Sequence, residues 1–98
     1  MNTVEHQKKM EKVLTRLVIF LKKSKESAYA SQTPKELVKI ALVELNSIQS
    51  IGKLHNPNQI ENLFLPTASL QDIAIDNGWG EDYLAIAEHF ELVLKACR

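Results

Sequence analysis

The residues that most often carry out chemistry are few in this chain and lie far apart. Its three histidines, His6, His55 and His89, are separated by more than thirty residues, and no His-Glu-x-x-His motif or Cys/His ligand spacing occurs. Cys97 is the single cysteine, and no base stands at a recognisable spacing from it, so we expect it to pack as a small apolar side chain. We therefore assign no catalytic residue, no metal ligand and no cofactor, and we predict that the protein is not an enzyme.

One acidic segment, with the sequence DNGWGED from Asp76 to Asp82, has a superficial similarity to a calcium-binding loop. Such a loop needs side-chain oxygens at its third and fifth positions, which here are Gly78 and Gly80. Calcium binding is therefore not expected. The segment also holds the single tryptophan, Trp79, among several carboxylates, and a tryptophan inside a charged rim is typical of the centre of a protein interface. The alternative is that Trp79 fills a gap between two helices and that the glycines allow the turn.

The two halves of the chain carry opposite charge. Positions 1–53 contain ten Lys or Arg and five acids, whereas positions 59–98 contain seven acids and two cations. The formal net charge of zero is therefore a cancellation, and the acidic half would attract a basic partner through its electrostatic field. We predict a non-catalytic protein-interaction module, such as a small adaptor, regulator or inhibitor, that binds another protein with a basic surface. The expected partner-binding residues are Asp76, Trp79, Glu81, Asp82, Tyr83 and Glu88.

A second contact surface is expected on the first helix. Its apolar positions from Met10 to Leu21 recur at helical spacing, with lysines and an arginine on the opposite side. Ile19 and Phe20 interrupt that basic side, so the helix is apolar nearly all round for about one and a half turns and must be covered twice. We expect these two residues to mediate self-association in a homo-oligomer.

The elements that position these residues are all helical. Proline follows a capping residue at Thr33-Pro34 and at Asn56-Pro57, which predicts two helix starts. We also expect a first helix from about Thr3, a fourth capped by Ser69 and a last one from about Gly80. Gly52 should end the second helix, which we expect to be largely buried, and Pro66 should end the third. Residues 24–32 fit either a helical extension or a linker. The prediction is an all-α fold, a small helical bundle of three long helices plus two short helices in one domain over residues 1–98.

Residues 69–90, SLQDIAIDNGWGEDYLAIAEHF, resemble the AraC-type DNA-binding unit in the Leu-x-x-Ile-Ala opening, the glycine at the turn and the late aromatic residue. The resemblance implies a helix-turn-helix whose second helix reads DNA. A recognition helix usually opens with basic or amide side chains, whereas this one opens with Glu81-Asp82-Tyr83 and has no cation before Lys95. The alternative function is a nucleic-acid-binding regulator that uses this degenerate unit or the basic first helix. We expect a protein partner rather than nucleic acid, because the acids would repel phosphates.

The longest uninterrupted apolar run covers only residues 17–21. A run of this length is too short to cross a bilayer, and the sequence shows no pattern of a secretion signal. The apolar stripe of the first helix is needed for the core of so small a protein, so it is not expected to bind a membrane surface. We therefore expect a cytoplasmic protein with no membrane partner.

Overall fold

The computed structural model describes residues 3–28, 30–65 and 68–97, and these residues form an all-α bundle without strands. The predicted fold class, with three long and two short helices, is confirmed. The long helices have 21, 18 and 18 residues, and the short ones have 6 and 8. In chain order the helices are α1 (Thr3–Lys23), α2 (Pro34–Ile51), α3 (Pro57–Asn62), α4 (Ser69–Asp76) and α5 (Gly80–Cys97).

Helix α1 is the central element, because it packs against both α2 and α5 while these two do not approach each other closely in the described residues. The buried apolar side chains of α1 and of the other four helices form one cluster. The ring of Phe20, near the end of α1, stacks on the ring of Trp79, which directly precedes α5, with centroids 5.0 Å apart. The end of α1 therefore lies at the start of α5, and the two helices run antiparallel.

Helix α2 begins and ends where its capping residues predict. The Thr33 hydroxyl accepts a hydrogen bond from the Glu36 amide at 3.2 Å, and Gly52 adopts a left-handed φ of 75° that residues with a Cβ rarely take. The expectation that α2 is largely buried is wrong, because Leu42 and Val43 are 41% and 53% exposed. Only one side of α2 faces α1, and no element of the described chain covers the other.

Helix α3 begins as predicted, since the Asn56 side chain accepts a hydrogen bond from the Gln59 amide at 3.2 Å. It ends at Asn62, and turns continue to Leu65. Pro66, which we expected to end it, lies outside the described residues. The short helix thus brings Phe64 and Leu65 to its carboxyl end, where they face α5.

The capping role expected for Ser69 is wrong. Ala68 holds the capping position of α4 and makes no side-chain capping bond, while Ser69 is the first helical residue. The Ser69 hydroxyl instead accepts hydrogen bonds from the Ser31 and Gln32 amides, both at 3.0 Å. These amides belong to the connection between α1 and α2, so Ser69 ties that connection to α4.

None of the helices in the described ranges combines the length and the apolar content that crossing a bilayer requires.

Candidate interaction surface

The centre of the predicted docking face is inside the molecule. Trp79 is 5% exposed and Tyr83 is 4% exposed, and both belong to the core cluster. The indole stacks on Phe20 at 5.0 Å and meets the edge of the Tyr83 ring at 6.5 Å. These two predicted contact residues therefore cannot form an exposed binding surface in this conformation. The alternative interpretation, in which Trp79 fills the space between helices, describes its position.

The chain's own connection between α1 and α2 covers this aromatic cluster. We call residues 24–28 the strap, because they lie across the cluster without being helical. The indole N–H donates a hydrogen bond to the Ser24 hydroxyl at 2.9 Å, and that hydroxyl donates to the Phe20 carbonyl at 2.8 Å. Residues 24–28 are therefore a linker and not a helical extension.

The strap is also fastened to the end of α4. The Asn77 side chain accepts a hydrogen bond from the Lys25 amide at 2.8 Å and donates to the Lys25 carbonyl at 2.9 Å. The Ser27 hydroxyl donates to the Asp76 carboxylate. Asp76, which we expected to contact a partner, is exposed but already engaged within the chain.

The other three predicted contact residues, Glu81, Asp82 and Glu88, are exposed on α5. None of them forms an ion pair with another described residue. Glu81 and Glu88 are two helical turns apart on the side of α5 that points away from the core. Between and beyond them lie Leu84 and Leu92, which are 62% and 61% exposed. We define the α5 outer face as Glu81, Leu84, Ala85, Glu88 and Leu92.

A groove lies beside this face, between the carboxyl end of α3 and the side of α5. Its volume is about 420 Å³. The floor is apolar, with the Phe64 ring stacked on the Phe90 ring at 4.5 Å and with Leu65 and Leu94 beside them. Three carboxylates stand on the rim, and one of them is neutralised in part by an ion pair of 3.2 Å between Lys95 and Glu91. The rim carboxylates are Glu61, Glu88 and Glu91. We call this feature the α3–α5 groove.

Tyr83 joins the covered aromatic cluster to the groove. Its ring also stacks on Phe64 with centroids 6.1 Å apart, and its hydroxyl donates a long hydrogen bond of 3.4 Å to the Phe64 carbonyl. Burial raises the pKa of the Tyr83 hydroxyl above its ordinary value, because the charged phenolate would lose its hydration.

The predicted self-association residues have different surroundings. Ile19 is 48% exposed, as expected for a contact residue. Phe20 is partly buried and packs against the core through Trp79, so its ring serves mainly the interior. Ile19 stands among the basic residues of α1, and no element of the described chain covers it.

Sequence reasoning missed one buried carboxylate. Glu44 is 1% exposed, and its oxygens accept hydrogen bonds from the His55 and Asn56 amides at 2.7 and 3.0 Å. The signal was its position, because Glu44 falls between Ala41 and Ile48 on the apolar stripe of α2. The carboxylate holds the loop that leads into α3, and so it helps to place the groove.

The described residues contain no cluster of potential metal ligands. Among the described residues, no three His, Cys, Asp or Glu side chains are placed to hold a metal ion.

Helices α4 and α5 meet at a turn through Gly78, which has a left-handed φ of 79°. This arrangement is a helix-turn-helix in outline, but Glu81 and Asp82 are exposed at the start of its second helix. The exposed start of this second helix is therefore negative, which disfavours contact with DNA phosphates.

Comparisons with protein-family models, with curated proteins and with solved structures found no match to this chain.

Proposed function

We propose that the protein is a non-catalytic interaction module whose α3–α5 groove binds a basic segment of another protein. The observation that carries the proposal is the groove itself, an apolar floor of stacked aromatic rings below a rim of three carboxylates. An apolar anchor with neighbouring Lys or Arg side chains is the ligand that matches both features.

The floor supplies affinity and the rim supplies orientation. A volume of about 420 Å³ accepts one or two large side chains but not a folded element. Covering Leu65, which is 47% exposed, removes apolar surface from water, and a fully buried leucine side chain contributes about 1.5–3 kcal/mol. Glu88 and Glu91 on the rim are exposed to solvent, so the main effects of their charges are to speed the encounter and to make it depend on salt.

The proposal gives Trp79 a structural function in place of a contact function. Its stacking on Phe20 fixes the start of α5 against the end of α1. Tyr83, one turn further along α5, then contacts Phe64 and holds the groove wall. We therefore place the acidic contact surface further along α5, at Glu88 and Glu91, and not at Trp79.

Binding can be tested with a helical peptide that carries leucines on one face and lysines on the other. The peptide is titrated into the isotopically labelled full chain. We expect amide resonances around Phe64, Leu65 and Glu91 to shift, and the effect to weaken as salt is added. A counterpart peptide with glutamate in place of lysine should cause no shift. Equal shifts with both peptides, or shifts confined to α2, would contradict the proposed site.

Affinity capture of natural partners should depend on the groove. The double variant Leu65→Lys/Glu91→Lys changes two exposed groove residues and should reduce recovery of the partner at least about tenfold, which is a loss of about 1.4 kcal/mol. The matched control, Leu42→Lys/Glu36→Lys, makes the same two changes on the exposed side of α2 and should leave recovery unchanged. Equal recovery by both double variants would mean that the groove is not the binding site.

A further inference from the structure

The outward side of α1 carries a row of cations that form no ion pair with any described residue. We define the α1 outer face as Lys8, Lys12, Arg16, Ile19 and Lys23, all of which are exposed. The one ion pair of α1 within the described residues joins Lys9 to Glu5 at 3.4 Å and does not involve this row. Ile19, 48% exposed, lies between Arg16 and Lys23. Along the helix, the apolar Ile19 therefore lies between two positive residues, Arg16 and Lys23.

The α5 outer face has the complementary pattern with the same spacing. Arg16 and Lys23 are seven residues apart, and so are Glu81 and Glu88, which corresponds to about 10 Å along each helix. Leu84, 62% exposed, lies between the two acids as Ile19 lies between the two cations. When an α1 and an α5 dock antiparallel, both ion pairs form and the two apolar side chains meet.

These complementary faces cannot pair within one molecule. Helices α1 and α5 lie side by side in the bundle and their outer faces are exposed, so neither outer face can turn towards the other. A second copy offers both faces at once. We infer that two copies associate through reciprocal docking of the α1 outer face on the α5 outer face.

A two-fold axis parallel to the two helices produces this arrangement. Because α1 and α5 are antiparallel neighbours, the axis places each α1 over the partner's α5 and each α5 over the partner's α1. The contact is then made twice, which matters because a stable interface buries about 1,600 Å² in total and one pair of helix faces supplies less. The zero net charge of the chain leaves no overall repulsion between copies.

The dimer leaves most of the α3–α5 groove open, because the groove lies on the side of α5 next to α3. Glu88 is the residue that the two surfaces share. The inference rests on the exposed α5 surface described above but not on the occupant of the groove. Changes on α1 therefore test self-association alone, and changes at Leu65 and Glu91 test groove binding alone.

The test is sedimentation of the full chain at about 0.01 M and about 1 M salt, where charges interact over roughly 30 Å and 3 Å. We expect a dimer at low salt. At high salt the dissociation constant of the dimer should rise at least tenfold. The matched control, Lys35→Glu/Lys39→Glu, removes two exposed cations from α2 and should remain dimeric. A wild-type chain that is monomeric at low salt overturns the inference. The same holds if this monomer binds DNA in a gel shift through the cations of α1, because the face would then serve nucleic acid and not a second copy.

Charge exchange gives the decisive result. Arg16→Glu/Lys23→Glu and Glu81→Lys/Glu88→Lys should each be monomeric alone, because each places like charges opposite one another. Mixed in equal amounts, they should form a heterodimer, since every contact then joins opposite charges. Failure of the folded variants to combine overturns the inference. Should a variant not fold, zero-length cross-linking of mixed light and heavy wild-type chains decides, because links between copies must join α1 lysines to α5 glutamates.

Discussion

Two regions of this molecule combine aromatic rings with carboxylates, and only one of them is open. Around Trp79, the strap lies over the rings and its Ser27 engages Asp76, so that the indole is 5% exposed. In the α3–α5 groove, the partly buried Phe64 ring stacks on the buried Phe90 ring, and Phe64 and the half-exposed Leu65 form the open part of the groove. The same residue types are thus fully covered in one place and partly open in the other.

The difference lies in what the chain supplies to cover each region. The strap provides backbone and hydroxyl groups that match the polar atoms near Trp79, including an acceptor for the indole N–H. Within the described ranges no comparable segment crosses the groove, where the rim carboxylates Glu88 and Glu91 are exposed. The composition of the two regions is similar, and they differ in whether a described segment lies across the aromatic rings.

The largest effect should come from truncating Trp79. Trp79→Ala leaves a cavity beside Phe20 and Tyr83 and should cost about 3–5 kcal/mol, a large part of the stability of a small domain. Urea unfolding followed by circular dichroism measures the loss. The corresponding truncation in the groove, Leu65→Ala, should change stability by less than about 0.5 kcal/mol because Leu65 is half exposed. Similar losses of unfolding free energy in the two variants would mean that the groove is not more open than the cluster around Trp79.

The elements of the fold were predictable because their signals are local. Thr33 with Pro34 and Asn56 with Pro57 place helix starts through contacts within four residues, and Gly52 ends α2 through its own φ. The covering of Trp79 was not predictable in this way. It depends on a hydrogen bond between Trp79 and Ser24, which are 55 residues apart.

The candidate site was predictable only in its charge. Glu81 and Glu88 are exposed as expected, whereas the choice of Trp79 as its centre assumed that an aromatic residue among acids faces solvent. Seven acids in forty residues show that the surface is negative. They do not show which aromatic residue the bundle leaves uncovered, since that follows from where α3 ends relative to α5.

A middle-sized effect should come from the strap. Ser24→Ala removes the acceptor of the indole N–H and should cost about 1 kcal/mol. The single indole N–H resonance of the protein should also exchange faster with solvent, while the amides around Phe64 remain unchanged. Ser50→Ala, on the exposed side of α2, is the control and should not lower stability. An unchanged exchange rate in Ser24→Ala would show that the strap does not close the cluster.

The smallest effect at neutral pH should come from Tyr83→Phe, which removes one long hydrogen bond between the two regions and should cost a few tenths of a kcal/mol up to about 1 kcal/mol. The effect of pH is more informative. Burial raises the pKa of Tyr83 in the folded state, so above about pH 10 the unfolded chain loses this proton while the folded chain keeps it.

The stability of the wild type should therefore fall with rising pH above this value, by at most about 1.4 kcal/mol per pH unit more steeply than that of Tyr83→Phe. Both chains share every other titrating group, so the difference between their urea midpoints isolates Tyr83. Parallel pH profiles would mean that the hydroxyl is hydrated in the folded state. Tyr83 would then belong to the open groove, and the covered cluster would end at Trp79.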